Sequence, residues 1–143
     1  MNNNQEKYIV YEKDVVQSRL LHDEFKKCIR LKECYDNVMR IMFLDNFHEN
    51  EHAYQIAFGY MSCESVENLY FRHAFFVSED GKVIDPTLPE KEKKYYIFAM
   101  MSFSDYFGRV AEEQSSDLTR NLMQSDQAIK EWLQTNKNIV CLG

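Results

Sequence analysis

The stretch YFRHAFFVSEDGKVIDPT, residues 70–87, decides the fold of this chain. Its first eight residues are rich in aromatic and branched side chains and predict a strand, and KVID at 82–85 predicts another. Between them, Asp80-Gly81 is typical of a hairpin turn. The stretch therefore predicts two antiparallel strands, with His73 inside the first and Asp85 at the end of the second.

The sequence before this hairpin has mostly helical periodicity. Apolar residues at helical spacing predict a helix that is N-capped by Asp14 and ends near Lys32, and a second helix over CYDNVMRIMFL at 34–44. Further strands are predicted for KYIVYE at 7–12, AYQIAFGYMS at 53–62 and YYIFAMMSF at 95–103. In the last of these, the Tyr95-Tyr96 pair is interpreted as sheet packing.

Helical periodicity returns over residues 115–135, where we expect one helix, or two that break near Ser125. Helices followed by strands and then helices indicate an α+β fold, with an antiparallel sheet packed against an N-terminal helix and C-terminal helices. We expect residues 1–143 to form a single domain, with 1–6 frayed.

The composition limits which cellular compartment and which binding partners we expect. A net charge of −6 gives no overall electrostatic reason to bind nucleic acid or an anionic membrane, so we expect neither partner. The four cysteines show no C-x-x-C spacing and are interpreted as free thiols, and no signal peptide or long apolar run is present. We therefore expect a cytoplasmic protein without a cofactor. The composition leaves its oligomeric state open.

One short motif suggests metal chemistry. HENEH at 48–52 has the His-Glu-x-x-His form that places two zinc ligands one turn apart on a helix. Its neighbours are polar, the run is short, and candidate third ligands such as Glu64, Glu67 or His73 lie at no diagnostic spacing. We interpret it as a polar loop from helix to strand, with a zinc-dependent hydrolase kept as an alternative.

The more informative arrangement combines Cys34 at the start of the second helix with His73 and Asp85 of the hairpin. A helix N-terminus favours a thiolate, an imidazole pairs with it and protonates a leaving group, and a carboxylate orients the imidazole. We assign Cys34 as nucleophile, His73 as base and acid, and Asp85 as orienting group. The first helical N–H groups, around Cys34 and Tyr35, are the expected oxyanion donors.

A series of motifs in this chain resembles the papain-like and transglutaminase-like cysteine hydrolases. The motifs are C-x-x-N at a helix start, a strand ending in Gly-Tyr, H-A-aromatic, a glycine turn and a hydrophobic-D-P-T ending. The closest likeness is to small bacterial and phage proteins with a Cys-His-Asp core. It covers roughly residues 34–107. The resemblance implies a nucleophile helix packed on an antiparallel sheet and attack on an amide bond of a protein or peptide substrate.

This chain departs from the family pattern at two positions. Phe75 stands where tryptophan is common, and Cys28 occupies the position of the papain-like glutamine, so no side-chain oxyanion donor is assigned. Asn37 is a candidate substitute, but we favour a structural role for it.

The hairpin register tests the triad. A two-residue turn at Asp80-Gly81 would place Asp85 opposite Phe76, on the wrong face for His73. A four-residue loop over 78–81 would place Asp85 opposite Ala74, next to His73. The triad requires the four-residue loop, and the sequence leaves the choice between the two turns open.

Other readings of these residues stay open. Cys34 is also compatible with a buried core cysteine, His73 with a structural sheet histidine, and Asp85-Pro86 with a turn start. Cys63, after the Gly-Tyr strand, is a rival nucleophile. The competing functional class is a catalytically inactive interaction protein on the same fold.

Overall fold

A computed structural model of the protein describes residues 6–44, 54–90 and 92–143. Over these ranges the protein is α+β, as predicted, with four helices and one mixed six-stranded sheet. The helices are α1 (Val15–Glu24), α2 (Cys34–Leu44), α3 (Phe103–Glu113) and α4 (Met123–Lys137). The strands are β1 (Tyr11–Glu12), β2 (Tyr54–Ser62), β3 (Leu69–Ser78), β4 (Val83–Ile84), β5 (Lys94–Met101) and β6 (Val140–Leu142).

The strands lie in the order β1-β5-β2-β3-β4, and β6 pairs with β3. All of these neighbours are antiparallel except β6, which runs parallel to β3 with Val140 opposite Leu69. The prediction of a purely antiparallel sheet is therefore wrong at this strand. Asn138 ends α4 in the left-handed region at φ 55°, and the buried Ile139 then leads the chain into β6.

The helix starting at Cys34 has the predicted bounds, but the other helices differ. Asp14 caps α1 by accepting the Gln17 N–H at 3.0 Å, yet the helix ends at Glu24 and not near Lys32. Within the loop that follows, the Asn37 side chain bonds both backbone groups of Arg30. Lys32, at φ 65°, turns the chain towards α2.

The C-terminal third contains an unexpected helix. The predicted strand over 95–103 stops at Met101, and α3 begins two residues later, capped by Ser102. The predicted helix over 115–135 begins only at Met123, because residues 115–122 form turns. Of residues 1–6, only Glu6 is described, and its carboxylate pairs with Lys137 at 2.6 Å. HENEH at 48–52 lies outside the described residues.

The main core lies between the sheet and α2. Val38, Ile41 and Met42 of α2 are fully buried, as their spacing predicts, and pack in one cluster with Phe58 and Phe76 of the sheet. Residues on the other side of the sheet, including Phe75, Val77 and Tyr95, form a second cluster. None of the described helices is both long and apolar enough to span a membrane.

Gly59 lies at a close approach of β2 and β5. The pairing of these strands shifts register between Phe58 and Gly59, and a Cβ at Gly59 would lie 2.0 Å from the carbonyl oxygen of Tyr96. By contrast, a Cβ at Gly108 of α3 would meet no atom within 4 Å. The two glycines therefore form a matched pair for testing the sheet geometry.

We expect Gly59→Ala to lower the free energy of unfolding by about 3 kcal/mol, because backbone atoms would have to move. Gly108→Ala should instead raise it by about 0.5–1 kcal/mol, because alanine is the better helix former. Urea denaturation followed by circular dichroism measures both changes. Equal stability of Gly59→Ala and the wild type would contradict the close approach of the strands.

Candidate active site

Cys34, His73 and Asp85 come from three separate elements and meet in one line of contacts. Cys34 is the first residue of α2, His73 lies within β3, and Asp85 directly follows β4. His73 Nε2 lies 2.8 Å from Asp85 Oδ2, and the Cys34 side chain is hydrogen-bonded to the His73 ring. The structure thus brings together all three residues selected from the sequence.

The hairpin that joins His73 to Asp85 has neither the two-residue turn nor the four-residue loop that the sequence allowed. Val77 pairs with Val83, and Phe76 with Ile84, so the loop between Ser78 and Lys82 contains three residues. Of these three residues, only Gly81 has a positive φ, at 79°, whereas the two-residue type I′ turn needs two such residues. The structure therefore has neither the two-residue turn nor the four-residue loop.

The observed register nevertheless favours the contact. Continued by one residue, it places Asp85 opposite Phe75, and side chains at 73 and 75 share a face of the strand. Asp85 therefore reaches His73 as a diagonal neighbour on that face. A four-residue loop would have put Asp85 opposite Ala74, whose side chain points to the other side of the sheet.

Asp85 is fully buried and accepts four hydrogen bonds from described residues. Oδ1 accepts the N–H groups of Thr87 and Leu88 at 3.2 and 3.3 Å, and Oδ2 accepts from His73 and from the Tyr95 hydroxyl at 2.8 and 2.7 Å. Burial alone would raise the pKa of Asp85, but the charge and hydrogen bond of His73 outweigh it and lower the pKa. Asp85 is therefore a carboxylate.

An ionised Asp85 determines which nitrogen of His73 carries a proton. A carboxylate only accepts hydrogen bonds, so Nε2 must donate to it, and Nδ1 is left for the Cys34 side. Burial alone would lower the pKa of His73, but Asp85 and the hydrogen bond to Cys34 raise it to about 10. The ring is therefore an imidazolium at neutral pH. Its stabilising effect is complete below the ordinary pKa of 6.5 and is lost as the pH rises through about 10.

Cys34 stands at the positive end of α2. The helical ladder begins when the Asn37 N–H donates to the Glu33 carbonyl at 2.8 Å, so the N–H groups of Cys34 and Tyr35 lie before it. The Cys34 side chain is only partly buried and packs against the helix side of the sheet. This position suits a nucleophile beside backbone donors.

The edge of β3 leaves room for this contact. On that edge β4 covers Phe76 and Val77, and β6 covers residues 69–71. Between them, residues 72–75 have no strand partner on that side in the described part of the chain. Because Cys34 packs on one side of the sheet and the His73 ring stacks on Phe75 on the other, their contact passes this open edge.

Of the two roles proposed for Asn37, oxyanion donor and structural residue, its contacts support the structural one. Its Nδ2 donates to the Arg30 carbonyl at 2.7 Å and to Thr87 Oγ1 at 3.1 Å, and its Oδ1 accepts from Arg30 N and Arg40. The side chain is fully buried, so its amide is engaged in tying α2 to neighbouring loops. The backbone N–H groups at the start of α2 remain the candidate oxyanion donors.

Several residues around the site were missed in the sequence. Tyr95 packs in the sheet as predicted, but its hydroxyl also reaches Asp85. Ser18 accepts the Asp85 N–H at 2.9 Å, and Ser116 donates to Asp36, two residues after Cys34, at 2.6 Å. These contacts join residues far apart in the chain, and no local pattern signals them.

The other candidate sites gain no support. Cys63 follows β2, and its N–H bonds the Leu69 carbonyl at 2.9 Å, four residues before His73 along β3. No group of three or more His, Cys, Asp or Glu residues is placed to hold a metal ion within the described ranges. His73, one of the candidate third ligands for HENEH, is paired with Asp85.

Comparison with models of known protein families, with curated proteins and with solved structures gives no match.

We expect Asp85→Asn to lower the pKa of His73 well below about 10, because the charge that raises it most is removed and only the contact with Cys34 then opposes burial. The variant should also lose about 3–5 kcal/mol of unfolding free energy, since one member of a buried pair is removed. NMR titration of the His73 ring protons measures the first effect, and urea denaturation the second.

Asp23→Asn, at an exposed position of α1, is the control and should change neither quantity. A titration midpoint that stays near 10 in Asp85→Asn would contradict the assignment of Asp85 as the source of the shift.

Proposed function

We propose that the protein is a cysteine-dependent hydrolase or acyltransferase of the papain-like and transglutaminase-like type, acting on an amide bond of a protein or peptide. One observation carries the proposal. The side chains of Cys34, His73 and Asp85 are in consecutive contact although they come from a helix start, a strand and a turn. Nucleophile, acid–base group and orienting carboxylate are the parts that acyl transfer through a thiol requires.

The geometry supports a sequence of steps. The Cys34 sulfur attacks the substrate carbonyl carbon, and the N–H groups of Cys34 and Tyr35 stabilise the oxyanion. His73 then protonates the leaving amine, so that the C–N bond breaks and a thioester on Cys34 remains. Water or an amine attacks this thioester, and His73 now accepts the proton. The C–S bond breaks, which regenerates the Cys34 thiolate beside the imidazolium. Asp85 holds the ring in place throughout.

Electrostatics favour the reactive form of this site at neutral pH. The raised pKa of His73, about 10, keeps the ring protonated, and a cation beside the sulfur stabilises a thiolate. The lowered pKa of Asp85 keeps its carboxylate charged as the pH falls. The His73–Asp85 ion pair is therefore present across the neutral range, and it is lost when the pH rises through about 10 or falls through the pKa of Asp85.

The choice of a protein or peptide substrate rests on the family resemblance alone. Cleavage, deamidation and acyl transfer share the thioester step, and they differ in whether water or an amine attacks and in which amide is used. Their products distinguish them. The competing proposal, a catalytically inactive interaction protein, predicts no thioester at all.

We expect iodoacetamide at neutral pH to alkylate Cys34 at least about tenfold faster than Cys28, Cys63 or Cys141. Among the described residues, Cys34 alone of the four has an imidazolium and a helix N-terminus beside it. Peptide mass spectrometry after timed labelling gives the four rates. The fast reaction should disappear in Cys34→Ser, should slow in His73→Gln, and should persist in the control Cys63→Ser.

A second assay separates a reactive thiol from a catalytic one. Incubation with p-nitrophenyl acetate should leave an acetyl group on Cys34, visible in the intact mass, and a peptide mixture should then yield cleaved, deamidated or cross-linked products that Cys34→Ala does not form. Equal, slow labelling of all four thiols and no acyl adduct would overturn the proposal. Bound zinc that is lost in His48→Ala would support the HENEH alternative instead.

A further inference from the structure

Asp85 Oδ2 accepts two hydrogen bonds of similar length. His73 Nε2 lies at 2.8 Å and the Tyr95 hydroxyl at 2.7 Å. Thr87 and Leu88 donate to the other oxygen through longer bonds, at 3.2 and 3.3 Å. The position of the oxygen that faces His73 is therefore set by Tyr95 as much as by the turn itself.

Tyr95 is held where this bond requires it. Its side chain is fully buried, and its ring contacts Phe75 with centroids 4.8 Å apart and the His73 ring at 6.5 Å. Its backbone lies in β5, between Met61 of β2 and Tyr11 of β1. Burial and the Asp85 charge raise the pKa of Tyr95, so the phenol stays neutral and keeps the proton that it donates.

Lys13 reaches the same turn from the N-terminal segment. Only 7% of this lysine is exposed, its ammonium donates to the Leu88 carbonyl, and it lies 5.9 Å from the centroid of the Tyr95 ring. Leu88 in turn donates its N–H to Asp85 Oδ1. Lys13 therefore contacts the turn whose N–H groups bind Asp85 Oδ1. It also lies near the ring of Tyr95, whose hydroxyl binds Asp85 Oδ2.

We propose that Tyr95 is a positioning residue of the Cys34-His73-Asp85 site, and that Lys13 braces it together with the turn at Leu88. Tyr95 fixes the plane of the carboxylate by donating to Oδ2, and Asp85 in turn fixes the His73 ring that faces Cys34. The inference rests on the proposed function for its catalytic meaning. The geometry that it describes can be tested without any activity.

The first test uses ¹⁵N-labelled protein with Cys34→Ala, so that thiol chemistry plays no part. The proton on Nε2 of His73 should exchange slowly with water in this background. It should exchange at least about tenfold faster when Tyr95→Phe is added, because the Tyr95 hydroxyl no longer holds the carboxylate in the plane that the His73 bond needs. Tyr96→Phe, which changes the adjacent buried tyrosine of β5, is the control and should leave this exchange rate unchanged.

The second test measures alkylation of Cys34 in otherwise wild-type protein. Tyr95→Phe should slow it about tenfold, and Lys13→Met about threefold, since the lysine acts through Leu88 and the Tyr95 ring. Lys7→Met, at an exposed position before β1, should have no effect. If Tyr95→Phe does not fold, as judged by circular dichroism, Lys13→Met carries both tests.

The outcomes separate this inference from the proposed function. Unchanged proton exchange in Tyr95→Phe, or in Lys13→Met where that variant carries the test, would overturn the positioning role even if Cys34 reacts rapidly. Faster exchange in a protein whose Cys34 is no more reactive than its other thiols would support the positioning role while overturning the proposed function.

Discussion

The buried charge of Asp85 constrains the arrangement of every element around the candidate site. A carboxylate without solvent is tolerated only when hydrogen-bond donors replace the water that it has lost. Here the donors are a histidine of β3, a tyrosine of β5 and two N–H groups of the turn after β4. Moving any one of these elements would leave part of the charge uncompensated, so the hairpin register and the position of β5 depend on each other.

Apolar packing places Cys34 independently of that charge. One face of α2 is fully buried at Val38, Ile41 and Met42, and this fixes the helix on the sheet. Asn37 then ties the first turn of α2 to Thr87, two residues after Asp85, at 3.1 Å. The thiol and the carboxylate are thus connected by structural contacts as well as through His73, which keeps their separation constant.

The features visible in the sequence are those that depend on local periodicity. The bounds of α2 and the place of His73 in a strand follow from side-chain spacing, and so does the choice of Cys34 at a helix start. The helix α3 carries a usable signal that was overlooked, because Ser102 and Asp105 have the spacing of a capping pair. The strand β6 has none, since its pairing depends on where α4 ends. The hairpin loop has three residues, one more than the first turn considered and one fewer than the second, and each such step moves Asp85 to the other face. Tyr95 and Lys13 reach Asp85 only through the folded sheet.

A buried His–Asp pair is by itself no mark of catalysis, because structural ion pairs have the same geometry and shift pKa values in the same directions. The difference lies in the third contact. A purely structural pair would have both ring nitrogens of His73 occupied by groups that only stabilise it, such as carbonyls or carboxylates. Here the nitrogen away from Asp85 faces the sulfur of Cys34, a partly exposed thiol at a helix N-terminus. That position gives the sulfur a proton partner in His73 and two neighbouring backbone N–H groups, which are the contacts that the proposed nucleophile requires.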